Sequence, residues 1–148
     1  MKKTLALLST GFLLACCGAE DLSSISTDLV IPRQIAARLS TVTIHLVQVD
    51  TLKRPDCTTL LGDPTRIQSA NVVKRAVVEF NSSGITQKII DNIPDRGTVW
   101  EFYAEGHDET QALIGHGCAG VFAISKGEEL PVTIHLCELA ENPCPVIP

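Results

Sequence analysis

Four histidines and six cysteines are the residues of this chain best suited to chemistry, and two of the histidines stand in identical surroundings. The pentapeptide Val-Thr-Ile-His-Leu occurs at 42–46 and again at 132–136, which gives His45 and His135 the same position in two predicted strands. If these first and last strands lie side by side, the two imidazoles form a candidate site for Zn²⁺ or Cu²⁺. The match fades within a few residues on either side, so the sequence does not indicate an internal repeat.

The metal hypothesis needs more ligands than the two pentapeptides supply. Zinc sites usually take three or four protein ligands, and the other histidines, His107 and His116, form no H-x-H or H-E-x-x-H spacing. The alternation within each pentapeptide is typical of a half-buried strand, with the aliphatic side chains inward and threonine and histidine outward. The sequence therefore favours His45 and His135 as members of a solvated face, and the metal site is the alternative.

The cysteines predict disulfides if the chain is exported. Cys57, Cys118, Cys137 and Cys144 all follow the N-terminal segment, and disulfides persist outside the cytoplasm. Four cysteines allow three connectivities, which spacing alone does not distinguish. Local closure favours Cys57 with Cys118 and Cys137 with Cys144, and the chain-entropy model values these bridges at about 4 and about 2.5 kcal/mol.

Motifs for catalysis and for cofactor binding are absent from the sequence. No G-x-S-x-G surrounds a serine, and no glycine-rich loop is spaced for a phosphate. The polar triplet His-Asp-Glu at 107–109 comes nearest to an acid–base group, but it lies where a hairpin needs turn residues. The sequence therefore predicts a protein that is not an enzyme and that binds no cofactor.

Two further motifs have simple structural interpretations. The tripeptide Asn-Ser-Ser at 81–83 matches a glycosylation acceptor but also has the composition of a turn. Phe80, Trp100 and Phe102 are candidates for a platform under a sugar ring, although aromatic residues in strands usually belong to a core. We expect a turn at the tripeptide and core positions for the aromatic side chains.

The N-terminal segment has the pattern of an export signal. Lys2 and Lys3 precede a short apolar run from Leu5 to Ala15. Because a permanent membrane span needs about 20 apolar residues, this run is too short to be one. Its length and flanks are those of a secretory signal, and we expect residues 1–15 to be a signal peptide.

The end of this signal resembles the lipobox of bacterial lipoproteins. The tetrapeptide Leu-Leu-Ala-Cys at 13–16 places a small residue directly before a thiol. In that family a peptidase cuts before a cysteine that carries diacylglycerol, so the resemblance implies lipidation of Cys16. Cys17 is the alternative, because lipidation there would leave an even number of cysteines for disulfides. The small side chain of Ala15 before the cut favours Cys16.

The acyl chains are the predicted membrane contact. Without Lys2 and Lys3 the formal charge of −5 becomes −7, which argues against nucleic-acid binding and against docking on anionic lipid. Residues 16–30 begin with small, polar and acidic side chains and are predicted to form a flexible lipidated tether. The sequence thus predicts an extracytoplasmic protein anchored to a bacterial membrane, the outer membrane of a two-membrane cell.

Short alternating segments with turn signals between them fill residues 31–148. The predicted strands lie at 41–50, 71–80, 85–93, 98–106, 111–117, 118–125 and 130–139. Pro32 either opens a short helix or interrupts an extended segment. About seven strands without a long helix predict one all-β domain, an antiparallel β-sandwich with Greek-key topology.

The segment 89–136 resembles two families of sandwich domains, the prealbumin-like and the carboxypeptidase-regulatory-like domains. The resemblance is carried by Asn-Ile-Pro at 92–94, the aromatic strand at 100–106 and Ile-Gly-His-Gly at 114–117. An immunoglobulin-like topology is the alternative. These families are mainly binding, adhesion or spacer modules, which is what the resemblance implies for this chain.

The expected function is that of a non-catalytic binding or structural module of the cell envelope. Its partner would be a protein or a glycan, contacted through loops or through an exposed sheet edge. A metal-handling lipoprotein that uses His45 and His135 is the alternative, and a divergent envelope hydrolase is the least favoured interpretation.

Overall fold

The computed structural model describes residues 23–49, 55–80, 87–93, 99–124, 127, 129–139 and 144, with the backbone alone at 87–89, 92 and 121–123. The predicted signal peptide, both candidate lipidation sites and the tripeptide at 81–83 lie outside the described residues. In the described part of the chain no helix is long and apolar enough to cross a membrane.

Strands dominate these residues, and the helices are short. The strands are β1 (Ser23–Val30), β2 (Thr41–Val49), β3 (Val72–Glu79), β4 (Gln87–Ile93), β5 (Val99–His107), β6 (Leu113–Ala123), β7 (Glu129–His135) and β8 (Cys137–Glu138). The helices are α1 (Arg33–Ala36), α2 (Cys57–Gly62) and a 3₁₀ helix (Pro64–Ser69). Pro32 stands at the N-cap of α1, so the prediction that it opens a short helix is confirmed.

The smaller sheet has three strands in the order β4-β1-β7. Its central strand, β1, pairs antiparallel with β4 and parallel with β7. The prediction that a flexible tether extends to residue 30 is therefore wrong. Ile25 and Leu29 alternate with Ser26 and Asp28, and this short pattern places both apolar side chains in the core.

The larger sheet has five strands in the order β3-β2-β5-β6-β8, all antiparallel. The two strands predicted at 111–117 and 118–125 are a single strand, β6. Its pairing with β5 shifts register at two places, between Trp100 and Phe102 and between Gly106 and His107. Glycines at 115, 117 and 120 allow such irregularities without ending the strand.

The main core fills the space between the two sheets. It takes Ile25 and Ile134 from the smaller sheet and Ile44 and Phe102 from the larger one. Both sheets contribute alternate residues of their strands, which confirms the predicted all-β sandwich. The prediction for the aromatic residues is also confirmed. Trp100 and Phe102 are buried in this core, and Phe80 packs against it.

Candidate functional site

The outer face of the five-stranded sheet, which points away from the main core, carries three buried polar side chains, those of His45, Glu101 and His116. The register aligns His45 with Tyr103 and Thr43 with Glu105 across β2 and β5. The next strand, β6, places His116 opposite Glu105. Because directly opposed residues lie on the same face of a sheet, these side chains form one polar cluster.

His45 is the centre of this cluster, and both of its ring nitrogens are engaged. Its Nε2 lies 2.9 Å from Oε2 of Glu105, and Nε of Arg75 donates to its Nδ1 at 3.3 Å. An arginine cannot accept a hydrogen bond, so Nδ1 is the acceptor and Nε2 carries the proton that is donated to Glu105. The imidazole therefore links β3, β2 and β5 and has no free nitrogen for a metal or for a substrate proton.

The structure corrects the solvated-face prediction for His45 and the predicted pairing of the two histidines, whereas His135 is partly exposed, as the solvated-face prediction expected. His45 is 2 % exposed and does not belong to a solvated face. His135 lies on β7 in the other sheet, so the two histidines are not cross-strand neighbours. Within the described residues no three histidine, cysteine, aspartate or glutamate side chains are grouped to hold a metal ion. The metal hypothesis fails because β2, which carries His45, and β7, which carries His135, belong to different sheets.

Two buried groups of the cluster have no hydrogen-bond partner among the described residues. They are the hydroxyl of Tyr103 and Nδ1 of His116. The two rings meet edge to face, with centroids 6.3 Å apart. Burial raises the pKa of Tyr103 and lowers the pKa of His116, although the nearby carboxylate of Glu105 partly opposes the shift of His116. Both groups are therefore held neutral in the folded protein at neutral pH.

Helix α2 covers one part of the outer face. Asp56 caps the helix by accepting hydrogen bonds from the backbone N–H and the hydroxyl of Thr59, which lower its pKa. From β5, Oε2 of Glu101 accepts the backbone N–H of Cys57 at 2.6 Å. Burial raises the pKa of Glu101, and the neighbouring charge of Asp56 adds to this effect. Leu60 then packs on Tyr103 in a second, smaller core.

The two cysteine pairs favoured by local closure are found at disulfide distance. Cys57 pairs with Cys118 and ties α2 to β6, with their Cα atoms 5.8 Å apart. Cys137 pairs with Cys144 at the same Cα separation. The sulfur of Cys144 lies 3.8 Å from the carbonyl oxygen of His116, so this bridge packs over the backbone of the cluster.

No protein-family model and no curated protein matches the sequence. Among solved structures, the chain is similar to an alternative pilotin from the type II secretion system of Vibrio cholerae, with a TM-score of 0.50 and 12% identity, over 79% of this chain and 98% of that chain. The two proteins share a fold.

A second solved structure gives a much weaker match. It is a mutant of the major pilin from Streptococcus pyogenes, with a TM-score of 0.18 and 11% identity, over 78% of this chain and 50% of that chain. A similarity of this size carries no structural argument.

The triplet at 107–109 has the structural role that its turn composition indicated. Oδ1 of Asp108 accepts hydrogen bonds from the backbone N–H and hydroxyl of Thr110 and from the N–H of Ala112. These bonds also lower the pKa of Asp108. Glu109 is exposed, and His107 ends β5. The triplet closes a turn, and its polar atoms are used by the backbone.

The sequence prediction missed several members of the cluster. The alternation of β5 assigns Glu101, Tyr103 and Glu105 to the face opposite Trp100 and Phe102, but alternation alone does not show that this face is covered. The missed signal is the alternation of acidic and aromatic side chains on a central strand, where a covering helix and a disulfide can bury charges that have partners.

We expect His116 to make the domain less stable in mild acid. Its pKa in the fold lies below the ordinary value of 6.5 because of burial. Between these two values the unfolded chain binds more protons than the folded chain, so the stability from this residue is complete above about pH 6.5 and is lost as the pH falls through the native pKa.

The test is urea unfolding of the wild type and of His116→Asn at several values between about pH 8 and about pH 5. The free energy of unfolding of the wild type should fall more steeply on acidification than that of the variant. The variant serves as the matched control, since Glu101 and every other group titrate in both proteins. Parallel curves would contradict the assignment.

Proposed function

We propose that this chain is a lipid-anchored module of a bacterial envelope that binds a protein partner of a secretion assembly and catalyses no reaction. The observation that carries the proposal is the fold shared with a pilotin, which extends over 98% of that chain. The N-terminal segment supports the anchor, because Leu-Leu-Ala-Cys at 13–16 resembles a lipobox. Lipidation falls on Cys16.

The chemistry of the outer face also favours a binding module over an enzyme. A histidine that acts as a general base needs a free ring nitrogen within reach of the proton that it removes, but both nitrogens of His45 already have partners on Glu105 and Arg75. The disulfide at Cys57 and helix α2 cover the neighbouring part of the face. The polar cluster thus stabilises the arrangement of three strands.

The lipid anchor is tested by two matched substitutions. Cys16→Ser is expected to abolish the incorporation of a labelled fatty acid, because a serine hydroxyl cannot form the thioether to the lipid. The variant should also be lost from the membrane fraction. Cys17→Ser is the control and should leave both readouts unchanged. The measurement is fatty-acid labelling with mass spectrometry of the mature N-terminus. Loss of lipid in Cys17→Ser alone would move the anchor to the neighbouring residue, and lipid on neither cysteine would overturn the proposal.

The role in secretion is tested in cells that lack the chain. We expect fewer assembled secretion complexes in the outer membrane, with rescue by the wild type and by Cys17→Ser. Cys16→Ser should not rescue, because its body would no longer be held at the membrane. Normal assembly without the chain would contradict this role while leaving the anchor intact.

A further inference from the structure

Strand β3 ends the five-stranded sheet, and among the described strands it pairs with β2 alone. It has eight residues, Val-Val-Lys-Arg-Ala-Val-Val-Glu, without proline or glycine. Native proteins usually protect such an edge, because its free N–H and C=O groups are a template for another strand. The question is therefore which strand fits this edge.

The backbone register shows which groups point outward along the edge. Phe80 donates its N–H to the carbonyl of Ser40 at 2.8 Å, and the register continues from that pair through Val42 opposite Val78. Since hydrogen-bonded pairs alternate along an antiparallel ladder, the backbone groups of residues 74, 76, 78 and 80 face β2. Those of Arg75, Val77 and Glu79 consequently face the open edge.

The same three residues expose their side chains on the outer face of the sheet. Val77 is 55% exposed, more than the other exposed large hydrophobic residues described in the structure. Arg75 and Glu79 lie two positions before and after it, and both are exposed. The Nε atom of Arg75 is bound to His45, while no ion pair within the described residues uses the carboxylate of Glu79. An apolar residue thus lies midway between opposite charges, and this pattern is complementary to itself.

We propose that β3 pairs antiparallel with β3 of a second copy of this chain, around a twofold axis at Val77. The axis places Val77 against Val77 and sets Arg75 of each copy opposite Glu79 of the other. The paired segment runs from Lys74 to Phe80. It begins where the irregularity in the pairing of β2 with β3 ends, beside Leu46 and Val47. The two five-stranded sheets become one continuous sheet, with an interface that is the same patch on both copies.

Charge selects this register over its neighbours. An axis at Arg75 would oppose two arginines, which is unfavourable for like charges directly across a ladder. An axis at Ala76 would set Arg75 against Val77 and Val73 against Glu79, so that neither charge has a partner. The axis at Val77 gives the register in which Arg75 and Glu79 each lie opposite a residue of the other charge and the two exposed Val77 side chains are in contact.

Charge exchange tests the interface in the full-length protein, purified in detergent and examined by sedimentation. Glu79→Arg creates two arginine pairs and should weaken dimerisation about tenfold, since each cross-strand pair changes by roughly 0.5–1 kcal/mol. Arg75→Glu should do the same. A mixture of the two variants should form a heterodimer with the affinity of the wild type, because every arginine then faces a glutamate.

Arg75→Glu also removes the hydrogen bond to His45, so its effect on dimerisation could come from a change in the fold. Glu79→Arg alone still tests the interface, because Glu79 is not a member of the polar cluster. A wild type that remains monomeric at millimolar concentration overturns the proposal, as does a dimer that Glu79→Arg leaves unchanged. Either result would leave the proposed lipid anchor and secretion role untouched.

Cross-linking fixes the register independently. Cα atoms of a hydrogen-bonded pair lie about 5.5 Å apart, within the range of a disulfide. Val77→Cys is therefore expected to give an oxidised dimer by itself, whereas Glu79→Cys alone should not. A mixture of Arg75→Cys and Glu79→Cys should cross-link. Cross-linking of Arg75→Cys alone would show a different register and overturn the axis at Val77.

Discussion

Replacement of Cys57 and Cys118 together by alanine is expected to lower the free energy of unfolding by about 4 kcal/mol. The two residues are 61 positions apart, so their bridge closes a long loop of the unfolded chain. Both side chains are also buried, and they join α2 to the outer face through the second core. For a domain of this size the melting temperature should fall by more than about 10 °C.

The second cysteine pair is the matched control for loop length. Cys137 and Cys144 are 7 positions apart, and their replacement by alanine is expected to cost about 2.5 kcal/mol in the same chain-entropy model. Urea unfolding of both double variants measures the difference. Equal losses, or a larger loss from the C-terminal pair, would contradict the entropic argument. Peptide mapping without reductant should find a disulfide-linked pair of peptides that contain Cys57 and Cys118.

Gly117→Ala is expected to destabilise the domain by about 3 kcal/mol or more, at the upper end of the range for overpacking. A Cβ atom at this position would overlap the carbonyl oxygen of His135, which is a backbone atom and cannot rotate away. The side chain of Ile134 is also close, at 3.2 Å from that Cβ atom. The methyl group would push β6 away from β7, and with them the two sheets.

Gly62→Ala is the control for this substitution. Gly62 ends α2, and a Cβ atom there meets nothing within 4 Å. Since alanine has a higher helix propensity than glycine, we expect no loss and a gain of up to about 1 kcal/mol. The comparison is made by thermal and urea unfolding of the two variants. A Gly117→Ala variant as stable as the wild type would show that the sheets separate there at little cost.

Local alternation is enough to predict most strands of the fold. The period of two in β2 and β5 assigns Ile44 and Phe102 to the core side from the sequence alone, and both side chains are buried there. Asp56 likewise indicates the start of α2, because a side chain that caps a helix is a local signal. Such features depend only on residues that are close in sequence, so they can be predicted from a single sequence.

Pairing between distant strands could not be predicted in the same way. β1 begins with serines that are typical of a linker, and it becomes a strand because β4 and β7 satisfy its backbone on both sides. The environment of His45 also depends on partners far away in sequence, since Glu105 is 60 residues away and Arg75 is 30. Whether a polar side chain on a strand is solvated or buried is decided by what covers that face.

The position of β1 has a mechanical consequence for an anchored protein. At about 3.5 Å per extended residue, the chain from Cys16 to Ser23 spans at most about 25 Å. A lipid on Cys16 would therefore hold the β-sandwich domain close to the membrane surface. A force on this linker would be transmitted to β1, which lies between β4 and β7. Two ladders of hydrogen bonds would then share the load, and the domain would resist unfolding under force better than one tethered through a strand at the edge of a sheet.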